Sequence, residues 1–170
     1  MTASLAQQVQ HAALFEGLSA AQTEQLLTIA EEAVVARGRS LFEEGAPGEA
    51  LYLVLSGELE ILKRDAAGGQ QQLARVGAGQ VLGEMSLLGG ARHRSASARA
   101  LSDARLLRLP TERFAPLLAR DEVPALKLVL NLARVMSRRL LQMNEKLVEG
   151  QGTRHEELSA FQKVLNDWSF

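Results

Sequence analysis

Leu51-Tyr52-Leu53-Val54-Leu55-Ser56-Gly57-Glu58-Leu59-Glu60-Ile61-Leu62-Lys63 is the stretch that decides the fold. Its first five residues are uniformly apolar and β-prone, the pattern of a short strand buried on both sides. Ser56-Gly57 breaks the run. Leu59, Ile61 and Lys63 then alternate with Glu58, Glu60 and Leu62, the period of a half-buried strand. Asp65-Ala66-Ala67-Gly68-Gly69 reads as a hairpin loop, and Gln70 to Val76 as the returning strand, with Leu73 its main apolar residue. Toward the N-terminus, Gly45-Ala46-Pro47-Gly48 is a turn cluster preceded by β-prone Leu41-Phe42 and Ala33-Val34-Val35. Toward the C-terminus, Gly77 and Gly79 make a turn, and Ala98 to Ala100 and Ala104 to Leu109 read as closing strands. Short strands at this spacing, separated by glycine turns, predict a sandwich or barrel.

Helices flank this block. Leu5 to Leu14 has a weak amphipathic pattern. Ser19 is placed to cap a helix over about Ala20–Ala30, with Leu26, Leu27 and Ile29 apolar. Thr111 is placed to cap a helix whose apolar face is Phe114, Leu117 and Leu118. Asp121 starts the longest helix, about Glu122–Val148, in which Pro124 is tolerated because a first-turn amide has no partner anyway. Gly150-Gln151-Gly152 stops it, and a last helix is predicted over about Arg154–Trp168. Leu126, Leu130, Ala133, Ser137, Leu140, Asn144 and Leu147 follow the 4-3 spacing of a coiled-coil seam. Val129, Leu132, Met136 and Met143 form a second apolar set beside it. Two apolar faces need two surfaces, so a homodimer through helix 122–148 is expected; the alternative is one helix lying on its own domain. Leu158, Phe161, Leu165 and Trp168 make a stripe suited to docking within the same assembly or on a protein effector.

The bulk numbers narrow the classes. The chain has 170 residues, 46% of them hydrophobic and 23% charged, which suits one soluble domain with appended helices. Its formal net charge of -1 lacks the basic excess of a nucleic-acid-binding face. Arg92, Arg94, Arg99, Arg105 and Arg108 fall close together, but all except Arg94 read as solvated loop and strand residues. There is no cysteine, so disulfides and thiolate chemistry are excluded and a reducing cytoplasm is the expected compartment. No apolar run approaches the ~18 residues of a membrane span, and Met1 to Gln8 lacks the pattern of a secretory signal.

The chemistry concentrates in Val81-Leu82-Gly83-Glu84-Met85-Ser86-Leu87-Leu88, followed by Arg94-Ser95-Ala96-Ser97. Gly83 permits a tight turn and close backbone approach. Glu84 begins a helical turn, where it can meet the dipole or accept from a sugar hydroxyl. The amides of that turn, including those of Met85 and Ser86, suit a phosphate. Arg94 can add a charge-assisted contact, and Ser95 a hydroxyl and an amide beside Ala96. Each signal is weak alone. Together, between β-prone segments, they point to a ribose and a phosphodiester.

This pattern resembles the phosphate-binding cassette of cyclic nucleotide-binding domains, as found in catabolite activator-type regulators, protein kinase A regulatory subunits and nucleotide-gated channels. The resemblance runs from about Ala12 to Val148 and also rests on Leu41-Phe42-Glu43-Glu44-Gly45-Ala46-Pro47-Gly48 and Leu51-Tyr52-Leu53-Val54-Leu55-Ser56-Gly57. It implies a mainly β fold with flanking helices: an eight-stranded jelly roll, also called a double-stranded β-helix. The implied organisation is N-terminal helices 5–30, roll 32–109 and C-terminal helices 111–148 within a domain 1–149, then a helical extension 150–170. It implies that Glu84 takes the ribose hydroxyl, that Arg94 assisted by Ser95 takes the phosphate, and that Gly83 and Ser86 offer backbone contacts. Ile61 and Leu73 lie where the family places apolar residues along the pocket wall. His93 stands where the family often has proline. Activator-type members place hydroxyl residues against the base, and the matching positions here are Met143 and Asn144, which can stack on and pair with a base. The implied ligand is cyclic AMP, with cyclic GMP as the second candidate and no other cofactor. Activator-type members continue into a DNA-reading domain, and 151–170 is too short for one, so the expected output is a partner protein.

Two other classes are weighed. One is a scaffold of the same fold that binds nothing, or a cyclic dinucleotide, motivated by Met143 and Asn144. The other is a metal-dependent enzyme on a cupin-like barrel. His11, His93 and His155 are the only histidines, in three distant segments, and no Gly-x-Ser-x-Gly elbow is present, so no enzyme is expected.

Overall fold

The computed structural model describes residues 2–66, 68–88 and 93–150. Among them, strands β1 (Glu31–Val35), β2 (Ser40–Phe42), β3 (Ala50–Ser56), β4 (Glu58–Arg64), β5 (Gln70–Gly77), β6 (Val81–Leu82), β7 (Ser97–Ala100) and β8 (Ala104–Pro110) form two four-stranded sheets. One has the order β1-β8-β3-β6 and the other β2-β7-β4-β5, with antiparallel pairing throughout. This is the eight-stranded roll that the family resemblance implies, and it agrees with the sandwich or barrel predicted from the strand spacing.

Strand β3 is buried on both sides, as its unbroken apolar run predicts. Tyr52 and Val54 join Leu59, Val76, Leu82, Ala98 and Leu106 in the cluster of buried residues, with Phe42 and Ile61 packed against it. Leu51 and Leu53 face the other way and, with Leu107 and Leu109, meet Leu14, Leu26 and Leu128 from the helices. Each such leucine contributes about 1.5–3 kcal/mol by leaving water.

The first helix departs from expectation: α1 (Thr2–Val9) ends early, and a 3-10 turn, Ala13–Phe15, follows. Helix α2 (Ala20–Leu27) begins as the sequence requires. Gln22 N–H donates to Ser19 Oγ at 3.2 Å, and Ser19 N–H donates to Gln22 Oε1 at 3.1 Å. This capping box satisfies two otherwise orphaned amides. A short α3 (Glu84–Leu87) follows β6, and α4 (Thr111–Ala119) follows β8. Pro110, not Thr111, occupies the N-cap of α4, and no side chain bonds there. Thr111 is the first helical residue, so its hydroxyl is past the capping position. Asp121 closes α4 instead of opening the next helix. It is left-handed (φ 54°), with Asp121 N–H donating to Leu118 O and Glu122 N–H to Leu117 O. Those two bonds are a Schellman stop, usually made by glycine.

Helix α5 (Val123–Gly150) crosses the boundary between two compact units, one up to Leu132 and one from Ala133 on. In the first unit, Ala125, Leu128 and Leu132 are fully buried. Asn131 Nδ2 donates to Leu14 O at 3.0 Å and Glu16 O at 2.7 Å, and Lys127 Nζ donates to Gly17 O at 2.8 Å. The expected seam residues Leu126 and Leu130 stay exposed, Leu130 at 51%. In the second unit, Ala133, Ser137, Leu140 and Leu141 are exposed as well. The predicted helix Arg154–Trp168 lies outside the described residues. No helix among the described residues is long and apolar enough to cross a membrane.

Candidate ligand-binding site

Gly83 ends β6 in the left-handed region (φ 78°, ψ 17°), directly before α3. A Cβ at this position would meet Arg94 Nη1, and Ala50 O at 2.8 Å. Glycine is therefore required both for the turn and for the approach of the guanidinium. Ser86 is buried and Glu84 half-buried, while Met85 points outward. Arg94 arrives on a segment tied to the β2–β3 loop. Gly45 N–H donates to Arg94 O and Arg94 N–H to Ala46 O, both at 2.8 Å, and His93 bridges to Pro47.

The Arg94 side chain is only 6% exposed. Its Nη2 donates to Ala50 O at 2.8 Å, and its Nη1 makes longer contacts with Ser86 Oγ at 3.3 Å and Gly83 O at 3.4 Å. Nε is buried without a hydrogen bond. All these acceptors are neutral, and among the described residues no carboxylate lies within ion-pair distance of Arg94. Burial pushes the guanidinium below its ordinary pKa, with Tyr52, Glu84 and Glu49 acting in the opposite sense. It remains a cation at neutral pH. The other described arginines of the sequence cluster are paired: Arg99 with Glu60 at 2.7 Å, Arg105 with Glu32 at 2.7 Å and Arg108 with Glu31 at 2.8 Å. A buried cation without a countercharge is costly, and this one sits where a phosphate contact is expected.

A second set of contacts fixes the end of the cassette. Lys63 Nζ donates to Ser95 O at 2.7 Å and to Glu44 Oε1 at 2.6 Å. Glu44 N–H donates to Ser97 Oγ at 2.8 Å, and Ser97 Oγ donates to Glu43 Oε2 at 3.0 Å. Glu43 titrates below the ordinary carboxylate value because Ser40 and Ser97 donate to it. Glu44 is lowered by its bonds from Lys63 and the Arg64 amide.

The model of the cyclic nucleotide-binding domain matches residues 32–121, just over half of the chain and all of both sheets but the first residue of β1. The chain belongs to the cyclic nucleotide-binding domain family. Among its curated relatives is the cyclic AMP receptor protein of Thermus thermophilus, 37% identical over 134 residues, covering 79% of this chain and 60% of that protein. The solved catabolite activator protein of Thermus thermophilus is 35% identical with a TM-score of 0.69, over 80% of this chain and 62% of that one. A cyclic nucleotide-binding domain from Methylobacillus flagellatus aligns with a TM-score of 0.78 at 26% identity, over 86% of this chain and 84% of that one. The chain spans about three-fifths of the length of the first curated relatives it matches.

Within this cyclic nucleotide-binding domain, Gly83, Glu84, Met85, Ser86 and Arg94 come together at the junction of β6, α3 and β3. Ser95 is exposed and Ala96 buried beside them. Ile61 packs against the core cluster. Leu73 differs: it is 57% exposed, and Val76 is the buried apolar residue of β5. Ile61 pairs with Ala74 and Leu62 with Gln72, so Leu73 falls at a register break and pairs with neither. Met143, in the second unit, is 58% exposed, and Asn144 Oδ1 makes no hydrogen bond there. Sequence reasoning missed Phe42 and Tyr52 as site residues, though their rings lie 4.3 Å and 5.6 Å from Arg94 Cζ. It missed Lys63 too. An aromatic residue in an apolar strand reads as core, and only the long-range pairing of the sheets brings these rings under the arginine.

Proposed function

We propose that the chain is a cyclic nucleotide sensor whose ligand is cyclic AMP. The observation that carries this reading is Arg94, a buried cation with neutral partners and an unbonded Nε, set against the left-handed Gly83 turn. In this reading the cyclic phosphate supplies the missing negative charge, with the Met85, Ser86 and Ala96 amides and Ser95 beside it. Glu84 accepts from the ribose 2′-hydroxyl, and Ile61 borders the pocket. The exposed Leu126, Leu130 and Leu140 support dimerisation through α5. Ligand binding favours one position of that helix, and the signal passes to a partner protein in a bacterial cytoplasm.

Isothermal titration calorimetry tests the ligand. Saturable binding of cyclic AMP in the micromolar range or tighter is expected. Absence of heat with both cyclic AMP and cyclic GMP at high micromolar concentration would refute the sensor, and thermal stabilisation by a cyclic dinucleotide alone would replace it with the scaffold reading.

A further inference from the structure

We infer that Phe42 and Tyr52 are positioning residues that orient Arg94 for the phosphate, an inference that rests on the sensor reading above. Phe42 ends β2 and Tyr52 lies in β3, so the two sheets each contribute one ring. The ring centroids are 6.0 Å apart, and the planes are inclined by 32°. Arg94 Cζ lies 4.3 Å from the Phe42 centroid and 5.6 Å from that of Tyr52, both within the range of a cation–π contact. The chemistry of this support matters. A carboxylate partner would take in-plane N–H donors and cancel the charge, as Glu60 does for Arg99 at 2.7 Å. The Phe42 ring face stabilises the cation from outside the guanidinium plane and takes no donor, while Tyr52 supports it through its ring and its hydroxyl. In the guanidinium plane Nη2 is anchored on Ala50 O at 2.8 Å, while the Nη1 contacts to Ser86 and Gly83, at 3.3 and 3.4 Å, are long, so hydrogen bonds fix only one end of the group. The two rings therefore hold the guanidinium in a dry site with its charge intact and its Nε–H uncommitted. Neither ring touches the ligand in this scheme; both act through Arg94.

The test uses calorimetry on the full chain with cyclic AMP and the two diastereomers of its phosphorothioate, in which sulfur replaces one or the other exocyclic phosphate oxygen. A fixed guanidinium meets one of those oxygens, so the wild type discriminates between the diastereomers. Phe42→Leu keeps apolar volume but removes the ring face. It is expected to lower cyclic AMP affinity roughly 5- to 30-fold and to narrow the discrimination. Phe42→Tyr retains a ring and is expected to retain both. Thermal unfolding checks that each variant is folded, and Phe42→Met carries the same test if Phe42→Leu is not. Wild-type affinity in the leucine variant overturns the inference. So does an equal loss for all three ligands with discrimination unchanged, the signature of packing alone. A wild-type protein that binds none of the three refutes the sensor reading itself, a separate outcome.

Discussion

Arg94 and Arg99 lie on one stretch of chain, yet they belong to regions built on opposite electrostatic rules. On the outer face of β4 and β7, Arg99 meets Glu60 at 2.7 Å, and Glu60 is only 7% exposed. Charge is neutralised within the protein, and the pair ties two neighbouring strands together. At the cassette, Arg94 is more deeply buried and meets only carbonyls, a hydroxyl and two rings. The same side chain thus completes a sheet in one place and leaves a charge unbalanced in the other. The fold pairs Arg99, Arg105 and Arg108 with carboxylates and leaves Arg94 with neutral partners; in the proposed reading a cyclic phosphate supplies the missing charge.

The contrast breaks most directly by exchanging the two arginines for methionine. Arg94→Met is expected to weaken cyclic AMP binding roughly a hundredfold or more, since a charge-assisted contact in a dry site is lost. Arg99→Met is expected to leave affinity within about twofold and to lower stability by about 1–2 kcal/mol, because Glu60 is left buried and unpaired. Calorimetry and urea unfolding of both variants check this, and matching losses of affinity would erase the distinction. Gly83→Ala attacks the same point through the backbone. It combines a left-handed strain with a Cβ driven toward Arg94 and Ala50 O, so a stability loss of about 1–3 kcal/mol and roughly tenfold weaker binding are expected. Glu84→Gln sharpens the assignment on the sugar side: affinity for cyclic AMP falls about tenfold, while that for 2′-deoxy cyclic AMP stays the same. Far from the cassette, Asp121→Gly relieves the left-handed position that ends α4 and should raise stability by about 0.5–1 kcal/mol with binding unaltered.

The smallest expected effect concerns pH. Glu43 and Glu44 both titrate below their ordinary value of 4.5. A carboxylate with a lowered folded-state pKa contributes stability that is complete above the unfolded value and fades as pH falls through the folded one. Acid unfolding should therefore steepen below about pH 4.5, and Glu44→Gln should flatten that slope in stability measured against pH.

Much of this arrangement is legible in the residues themselves. The double-sided burial of β3, the glycine turns and the Ser19–Gln22 box are local, and local patterns survive folding. The tight turn at Gly83 is local too, but its approach to Arg94 shows only in the folded chain. What was not legible depends in part on pairing across the roll. Leu73 looks like the inward residue of its strand until the break opposite Ile61 and Leu62 turns it to solvent. Asp121 carries no hint of a helix stop, because glycine is the usual signal. The burial of Ala125, Leu128 and Leu132 was hidden by the seam beside them, since a helix with two apolar faces does not say which one packs at home.

The placement of β8 between β1 and β3 has a consequence for how the molecule comes into being. Glu31 of the first strand pairs with Arg108 of the last, and Leu53 of β3 with Leu107. Until β8 is available, β1 has no partner in its sheet, and β3 presents one whole edge to its surroundings. Closure of the roll thus waits on the last strand and on loops spanning most of the domain, a high contact order that places folding in the slow, millisecond-to-second class. During that interval the run Leu51 to Leu55 is the stretch most exposed to mispairing with another chain. A truncation just before Ala104 should therefore give aggregates, not a smaller soluble domain.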